Sequence, residues 1–178
     1  MWKERLRTGP SDSELLSFAE FVLTRVSRTF ALNIRVLPSP LQTHVLYAYL
    51  YCRMADTVED DPTLASSEKI RLLKNFSELF SEAGDSAETL SAFTAQLPSA
   101  WKNSETWEHL LLVHASIVIN PFWKFPEPVR HILSHGVQEM CEGMAGFAAK
   151  QDQGELIRSE EHTSELQSLA YLVCRLLL

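Results

Sequence analysis

Cysteine, glycine and long apolar runs are all scarce in this chain, and each scarcity excludes a class of protein. The 178 residues include three scattered cysteines, which form neither a disulfide framework nor a zinc knuckle and fit a reducing compartment. Six glycines and eight prolines exclude a fibrous repeat. No apolar run is long enough to span a membrane, and residues 1–5 are too charged for a signal peptide. We therefore expect a soluble, cytoplasmic protein.

Positive charge is also in deficit. The chain has 16 Lys and Arg against 23 Asp and Glu, a net charge of -7, so it lacks the electrostatic footprint of a nucleic-acid-binding protein. With 46% hydrophobic residues, a chain of this length can bury the core of one domain.

Apolar residues recur at helical spacing along most of the chain, and no segment alternates as a strand does. The pattern predicts an all-α protein. Ser11 to Ser13 are good capping residues for the first helix, and prolines or glycine separate most of the others. The predicted helices run approximately over 13–36, 41–60, 66–82, 86–96, 104–119 and 126–151.

The most informative segment is 47–62, which reads YAYLYCRMADTVEDDP. Pro62 ends the predicted helix, so several carboxylates crowd its last turn, where the helix dipole makes each one unfavourable by about 0.3–1 kcal/mol. This crowding predicts a compensating cation, and oxygen ligands suit Mg2+. The alternative is a solvated acidic face that continues into a loop. On one helical line lie Tyr49, Arg53, Asp56 and Asp60, with Glu59 beside them.

Three arginines in the preceding helix complement these carboxylates. Arg25 and Arg28 are about one turn apart and Arg35 follows after two further turns, which predicts a basic stripe. Arginine binds phosphate oxygens in pairs, so carboxylates on one helix and arginines on its neighbour could hold a metal-bridged diphosphate. Ordinary surface arginines are the alternative.

Three segments together resemble a known family. They are Val26–Ala31 (VSRTFA), Ala48–Asp61 (AYLYCRMADTVEDD) and Val137–Phe147 (VQEMCEGMAGF). In order and spacing they are similar to the squalene/phytoene synthase family, over a region from about Phe18 to Gln151. The Ser-Arg-Thr-Phe element and the Asp-Thr-Val-Glu-Asp-Asp motif look most like its squalene synthase branch.

The resemblance implies an all-α isoprenoid-synthase (terpenoid synthase) fold around a hydrophobic cavity. It implies a prenyltransferase that joins two farnesyl diphosphates head to head into presqualene diphosphate, and then reduces this product to squalene with NADPH. It also implies a Mg2+ cofactor, a monomer, and association with a membrane through the lipid product. A phytoene or dehydrosqualene synthase is the alternative within the family, and a non-catalytic helical interaction domain is the alternative outside it.

The resemblance also assigns roles to residues. Tyr49 and Arg53 would act at the reaction centre, and Ser27 and Arg28 would bind diphosphate together with Arg53. The family's tyrosine near the start of the third motif's helix has no counterpart in the stretch 127–130. The metal ligands would be Asp56, Glu59 and Asp60, and the cavity would be shaped by Phe30, Met140, Gly143, Met144 and Phe147.

Two further patterns have simpler explanations. His131, His135 and Glu139 share a helical face at zinc-like spacing, but an exposed polar stripe explains them without a fourth ligand. Gly143 and Gly146 follow no strand, so they form no dinucleotide loop, and we expect them to allow close helix packing.

The end of the chain carries a different signal. Arg158–Ser168 reads RSEEHTSELQS, the forward translation of a common sequencing-library adapter, and Leu172–Leu178 (LVCRLLL) agrees with the translation of the adapter's continuation. We therefore predict that 158–178 is non-native. Residues 1–157 would then be a truncated, N-terminal part of the synthase domain. Because the family's second aspartate-rich motif is missing, we expect this fragment to be inactive.

Overall fold

The structure, a computed structural model, describes residues 11–152 and confirms the all-α prediction, with no strand among these residues. The order of the helices agrees with the apolar periodicity, except for a short helix at Ser99–Lys102 that no predicted helix covers and the corrections given below. The helices are α1 (Asp12–Val26), α2 (Arg28–Arg35), α3 (Leu41–Glu59), α4 (Ser66–Glu78), α5 (Ala87–Ala95), α6 (Ser99–Lys102), α7 (Trp107–Val113), α8 (Ser116–Phe122) and α9 (Glu127–Asp152), with a 3-10 turn at Glu82–Gly84.

Helix α3 is the centre of the core. Every residue from Val45 to Cys52 is buried, because α4, α8 and α9 pack around this helix together with α1, α2 and α7. A helix that is apolar all round is stable only when it is enclosed in this way. Tyr51 is fully buried, and its hydroxyl donates a 2.9 Å hydrogen bond to the Val118 carbonyl oxygen, which ties α3 to α8. The site residues of α3 therefore stand on a rigid element.

The predicted helix 13–36 begins as expected but is not continuous. Ser11 caps α1, and its amide donates to Glu14 Oε2 at 2.9 Å. The helix breaks at Ser27, whose backbone is extended at φ -159° and ψ 111°. Ser27 Oγ accepts a hydrogen bond from the Phe30 amide at 3.3 Å. A serine side chain can replace the helical hydrogen bond in this way, and it starts a new helix at Arg28.

The predicted helix 104–119 is wrong in two respects. It divides at His114 and Ala115 into α7 and α8, and α8 continues past the predicted end at 119 to Phe122. Pro121 lies inside α8, where burial of the neighbouring Phe122 in the core outweighs the backbone hydrogen bond that proline removes. The predicted helix 66–82 also ends early, at Glu78.

Within 11–152, no helix is both long and apolar enough to cross a membrane. The predicted adapter-derived segment, 158–178, lies outside the described residues.

Candidate functional site

The break at Ser27 brings the Ser-Arg-Thr-Phe element against the centre of α3. The Phe30 and Tyr49 rings pack with centroids 4.8 Å apart, and Ser27 lies close enough to Tyr49 to lower the pKa of its phenol. Two of the sequence-predicted segments thus meet at Tyr49. Arg28 follows Ser27 in the chain as the first residue of α2, and its side chain is exposed.

Tyr49 stays protonated at neutral pH. Burial raises the pKa of its phenol above the ordinary value, and the nearby Ser27 and the charge of Arg53 partly offset that increase. The charge of Asp56 acts on the same phenol and raises its pKa. The structure therefore groups Ser27, Tyr49, Arg53 and Asp56 into one electrostatically coupled cluster, which we call the Tyr49 cluster.

Arg53 lies one turn after Tyr49 on α3. A terminal guanidinium nitrogen is 3.6 Å from Glu108 Oε1 of α7, and both side chains are about one-third exposed. Its Nε is buried and has no hydrogen-bond partner among the described residues. The guanidinium thus keeps donor capacity for a further oxygen ligand.

Asp56 is the buried carboxylate of the site. It is 7% exposed, and no other charged side chain in the described part of the chain is buried to this degree. The pKa of Cys141, on α9, is raised to about 12 by burial first and by the charge of Asp56 second. Asp56 therefore acts electrostatically on α9 as well as on the Tyr49 cluster.

The predicted metal ligands do not form a preassembled cage. Glu59 is half-buried and Asp60 is exposed, and no three His, Cys, Asp or Glu side chains in 11–152 are placed to hold an ion together. Asp56 and Asp60 are one turn apart on α3, which leaves two carboxylates on one side of the helix end. The assignment of Asp56, Glu59 and Asp60 to a metal stays a prediction.

The protein itself supplies one of the positive charges that are expected at this helix end. The Lys69 ammonium of α4 donates a hydrogen bond to the Glu59 carbonyl oxygen, in the last turn of α3. A cation at a helix C-terminus neutralises the partial negative charge there. This contact crosses between two helices, so no local sequence pattern indicates Lys69.

The last carboxylate of the acidic segment has a structural role that the sequence did not reveal. Asp61 Oδ2 accepts a 2.8 Å hydrogen bond from Trp101 Nε1 and is 3.9 Å from His109 Nε2. Asp61 Oδ1 accepts from the Thr63 amide and hydroxyl at 2.7 and 2.6 Å. Burial raises the pKa of Asp61, but these hydrogen bonds and His109 outweigh it, and the pKa is lowered overall.

The predicted cavity residues of α9 have different environments. Met140 and Met144 are buried at 6% and 8% exposure, and Phe147 is half-buried. Gly143 is exposed, and a Cβ added there or at Gly146 would meet no atom within 4 Å. The expectation that these two glycines allow close helix packing is therefore wrong for the described part of the chain.

Two other sequence patterns can now be placed. The basic stripe is interrupted, because Arg25 belongs to α1, where its guanidinium lies 5.0 Å from the Phe21 ring centroid, and Arg28 begins α2 after the break. His135 and Glu139 form an exposed pair, with Nδ1 and Oε2 3.1 Å apart.

The fold and the site define a class: an all-α protein of the isoprenoid-synthase type, with an arginine and carboxylates on its central helix. A family model described as squalene/phytoene synthase matches residues 23–173. The chain therefore belongs to the squalene/phytoene synthase family. That match ends inside 158–178, so the boundary at Ile157 stays a prediction.

Individual relatives agree with the family. The chain is 30% identical over 132 residues to a squalene synthase of Schizosaccharomyces pombe, and the match covers 72% of this chain and 25% of that protein. It is 30% identical over 135 residues to a presqualene diphosphate synthase of Botryococcus braunii, covering 76% and 30%. A solved structure of TcSQS in complex with a ligand superposes with a TM-score of 0.61 at 28% identity, covering 78% of this chain and 36% of that one. The chain thus spans between a quarter and about a third of the length of these relatives.

Proposed function

We propose that this chain is the N-terminal part of a prenyltransferase that joins two farnesyl diphosphates head to head into presqualene diphosphate and converts this product to squalene. Membership of the family supports this proposal, as does similarity to proteins named squalene synthase and presqualene diphosphate synthase. The activity is that of the longer protein, and we expect the 178-residue chain alone to be inactive.

The observation that carries the proposal is the Tyr49 cluster. It places a hydroxyl, a phenol, a guanidinium with a free buried Nε and a buried carboxylate around one point of α3. Asp56 is the only charged side chain buried in the described part of the chain, and a buried carboxylate close to an arginine is more typical of a functional site than of a solvated interaction face. A substrate that brings both a cation and phosphate oxygens would bind Asp56 through the cation and Arg53 through the phosphate oxygens.

In this proposal the diphosphate lies between α2 and α3. Arg53 would donate to its oxygens through Nε, Arg28 would add an exposed guanidinium, and the Ser27 hydroxyl would stay close to Tyr49. These positive groups would stabilise the negative charge that develops on the leaving diphosphate when its bond to carbon breaks. Tyr49, with its phenol protonated, would present a neutral aromatic face to the resulting allylic cation.

The donor set fits a magnesium ion that is shared with substrate. Mg2+ usually takes one or two protein carboxylates and completes its shell with water and phosphate oxygens, rather than binding in an all-protein cage. Asp56 and Asp60, one turn apart, meet that requirement, and Glu59 is adjacent. When bound, the ion would neutralise the departing diphosphate.

The apolar residues of the proposal protect the cation from water. Phe30 packs on Tyr49, and Met140 and Met144 are buried on α9. Side chains of this kind exclude water from a reactive intermediate. Gly143 and Phe147, one turn apart on α9, would extend this wall.

The decisive experiment uses the complete protein, recovered by extending the coding sequence beyond Ile157. Asp56→Asn is expected to lower kcat/KM for farnesyl diphosphate by a factor on the order of a hundred or more, and Arg53→Met to act similarly. Glu139→Gln, an exposed position far along α9, is the matched control. Unchanged activity of Asp56→Asn in a folded protein would refute the metal assignment.

Product analysis then separates the members of the family. We expect presqualene diphosphate without NADPH and squalene with it, from the C15 substrate. Phytoene from the C20 substrate, or dehydrosqualene from the C15 substrate, would instead establish the alternative activities. Mg2+-dependent consumption of farnesyl diphosphate by the 178-residue chain itself would contradict the expected inactivity of the fragment.

A further inference from the structure

Helix α7 supplies an acidic partner to the arginine of the Tyr49 cluster. Glu108 Oε1 lies 3.6 Å from a terminal guanidinium nitrogen of Arg53, which is an ion-pair distance and too long for a hydrogen bond. Both side chains are about one-third exposed, so solvent screens the pair and it adds little to the stability of the fold. The consequence of this pair is therefore to be sought in the orientation of Arg53.

The residues on both sides of Glu108 hold it in place. Trp107 packs edge-on against Phe21 of α1, with ring centroids 5.1 Å apart at an interplanar angle of 79°. His109 stacks on Trp101 of α6, with centroids 4.9 Å apart at 14°. Two ring contacts to two different helices fix the first turn of α7, so the carboxylate of Glu108 extends from an anchored backbone.

The guanidinium of Arg53 needs such a partner to have one direction. Its Nε is buried and has no hydrogen-bond partner among residues 11–152, so no hydrogen bond at Nε orients the group. A guanidinium is planar and rigid, so a charge beside one of its nitrogens restricts the direction of all five N–H donors. Glu108 supplies that charge from an element outside α3.

We propose that Glu108 is a positioning residue of the diphosphate site, because its ion pair holds the guanidinium of Arg53 in the orientation that leaves Nε for an oxygen of the substrate. This inference rests on the proposed function and adds α7 to the helices that carry predicted site residues. Glu108 acts through Arg53 and not on the diphosphate, which its negative charge would repel.

Removal of the Glu108 charge has two opposite consequences, and this makes its role measurable. Without the carboxylate, the net attraction of the site for an anionic substrate increases. The guanidinium, however, is then free to turn away from the leaving group, and a misplaced group lowers the rate. We therefore expect Glu108→Gln to lower kcat by about tenfold without raising KM for farnesyl diphosphate.

Steady-state kinetics of the complete protein tests this expectation. Glu139→Gln makes the same charge change at an exposed position of α9 and is the matched control, with kcat and KM unchanged. An unchanged kcat in Glu108→Gln would overturn the proposal. A higher KM would also overturn it, because the carboxylate would then contribute to substrate binding in another way.

A double-mutant comparison shows whether Glu108 acts through Arg53. Arg53→Met is expected to lower kcat/KM by about a hundredfold, and addition of Glu108→Gln should lower it no further. A further tenfold loss in the double variant would overturn the proposal, because a general loss of folded enzyme acts in any background. Full activity of Glu108→Gln beside an impaired Arg53→Met refutes only the positioning role, whereas full activity of both variants refutes the proposed site.

A measurement without substrate decides the question even if the complete protein does not convert farnesyl diphosphate. In the 178-residue chain, the Nε–H signal of Arg53 is identified in a nitrogen-15 NMR spectrum by its loss in Arg53→Met. Because this Nε is buried, its proton is protected from exchange with water. The heteronuclear Overhauser effect of the signal should fall in Glu108→Gln and stay unchanged in Glu139→Gln. An equally rigid Arg53 in parent chain and Glu108→Gln would overturn the proposal.

Discussion

The indole Nε1 of Trp101 donates a 2.8 Å hydrogen bond to Asp61, so the final aspartate of the acidic segment anchors α6 instead of facing the Tyr49 cluster. Trp101 also stacks on His109 at 4.9 Å with an interplanar angle of 14°. The bond crosses forty residues of sequence. It fixes the chain directly after α3. The last turn of α3, which carries the other carboxylates, therefore leads into an anchored loop.

Asp61→Ala should therefore destabilise the chain, whereas Asp60→Ala should change its stability little. The substitution removes hydrogen bonds from Trp101 and Thr63 to a largely buried carboxylate, with an expected loss of about 2 kcal/mol in the free energy of unfolding. Asp60 is exposed and is the control. Urea unfolding followed by tryptophan fluorescence measures both. Equal midpoints for the two variants would show that Asp61 is not an anchor.

Lys69→Met should lower stability by about 1 kcal/mol, because it removes the ammonium that binds the last turn of α3. Methionine keeps the length of the side chain but has no donor. Lys74→Met, on the exposed side of the same helix, is the matched control and should have a small effect. Thermal unfolding monitored by circular dichroism compares them. A larger loss for Lys74→Met would show that the Glu59 carbonyl gains nothing from Lys69.

Gly146→Ala should stabilise the chain by about 0.5–1 kcal/mol, because alanine favours an exposed helix and its Cβ meets open space. Gly84→Ala should do the opposite. A Cβ at Gly84 would lie 2.3 Å from the Leu79 carbonyl oxygen, so the backbone of the 3-10 turn would have to move. Opposite shifts in Tm are expected, and a loss of stability in Gly146→Ala would show that this face of α9 is covered.

Ser27→Ala should cost about 1 kcal/mol, because it removes the cap of α2. Ser17→Ala is the control: Ser17 Oγ donates to the Ser13 carbonyl oxygen within α1 and caps nothing. If the cap matters as the structure indicates, Ser27→Ala will unfold at lower urea concentration and Ser17→Ala will not. Matching midpoints would mean that the break at Ser27 is maintained by packing alone.

When the source transcript is sequenced and the library adapters are removed from the reads, we expect different codons after Ile157. The translation of 158–178 agrees with the adapter at Arg158–Ser168 and Leu172–Leu178, which a native helix would match only by chance. Finding the RSEEHTSELQS codons in genomic DNA that was amplified and sequenced without library adapters would refute the assignment.

The sequence predicted most of the helical order and the identity of the residues around Tyr49. Helical spacing of apolar residues is a local signal, and so is the run of carboxylates before Pro62. The sequence does not predict the break at Ser27, because the apolar pattern continues through Val26 and Phe30 whichever hydrogen bond the serine side chain makes. The same limit applies at His114, where α7 and α8 divide without a proline or glycine at the junction.

By itself, the sequence determined an all-α chain of the squalene/phytoene synthase family with an acidic end to its central helix. Only the tertiary structure decided what each carboxylate does. Asp56 is buried beside α9, Asp60 is exposed, and Asp61 binds Trp101. Adjacent acidic residues have the same local chemistry. Their roles diverge because burial and partners come from helices far away in the sequence, which local patterns do not encode.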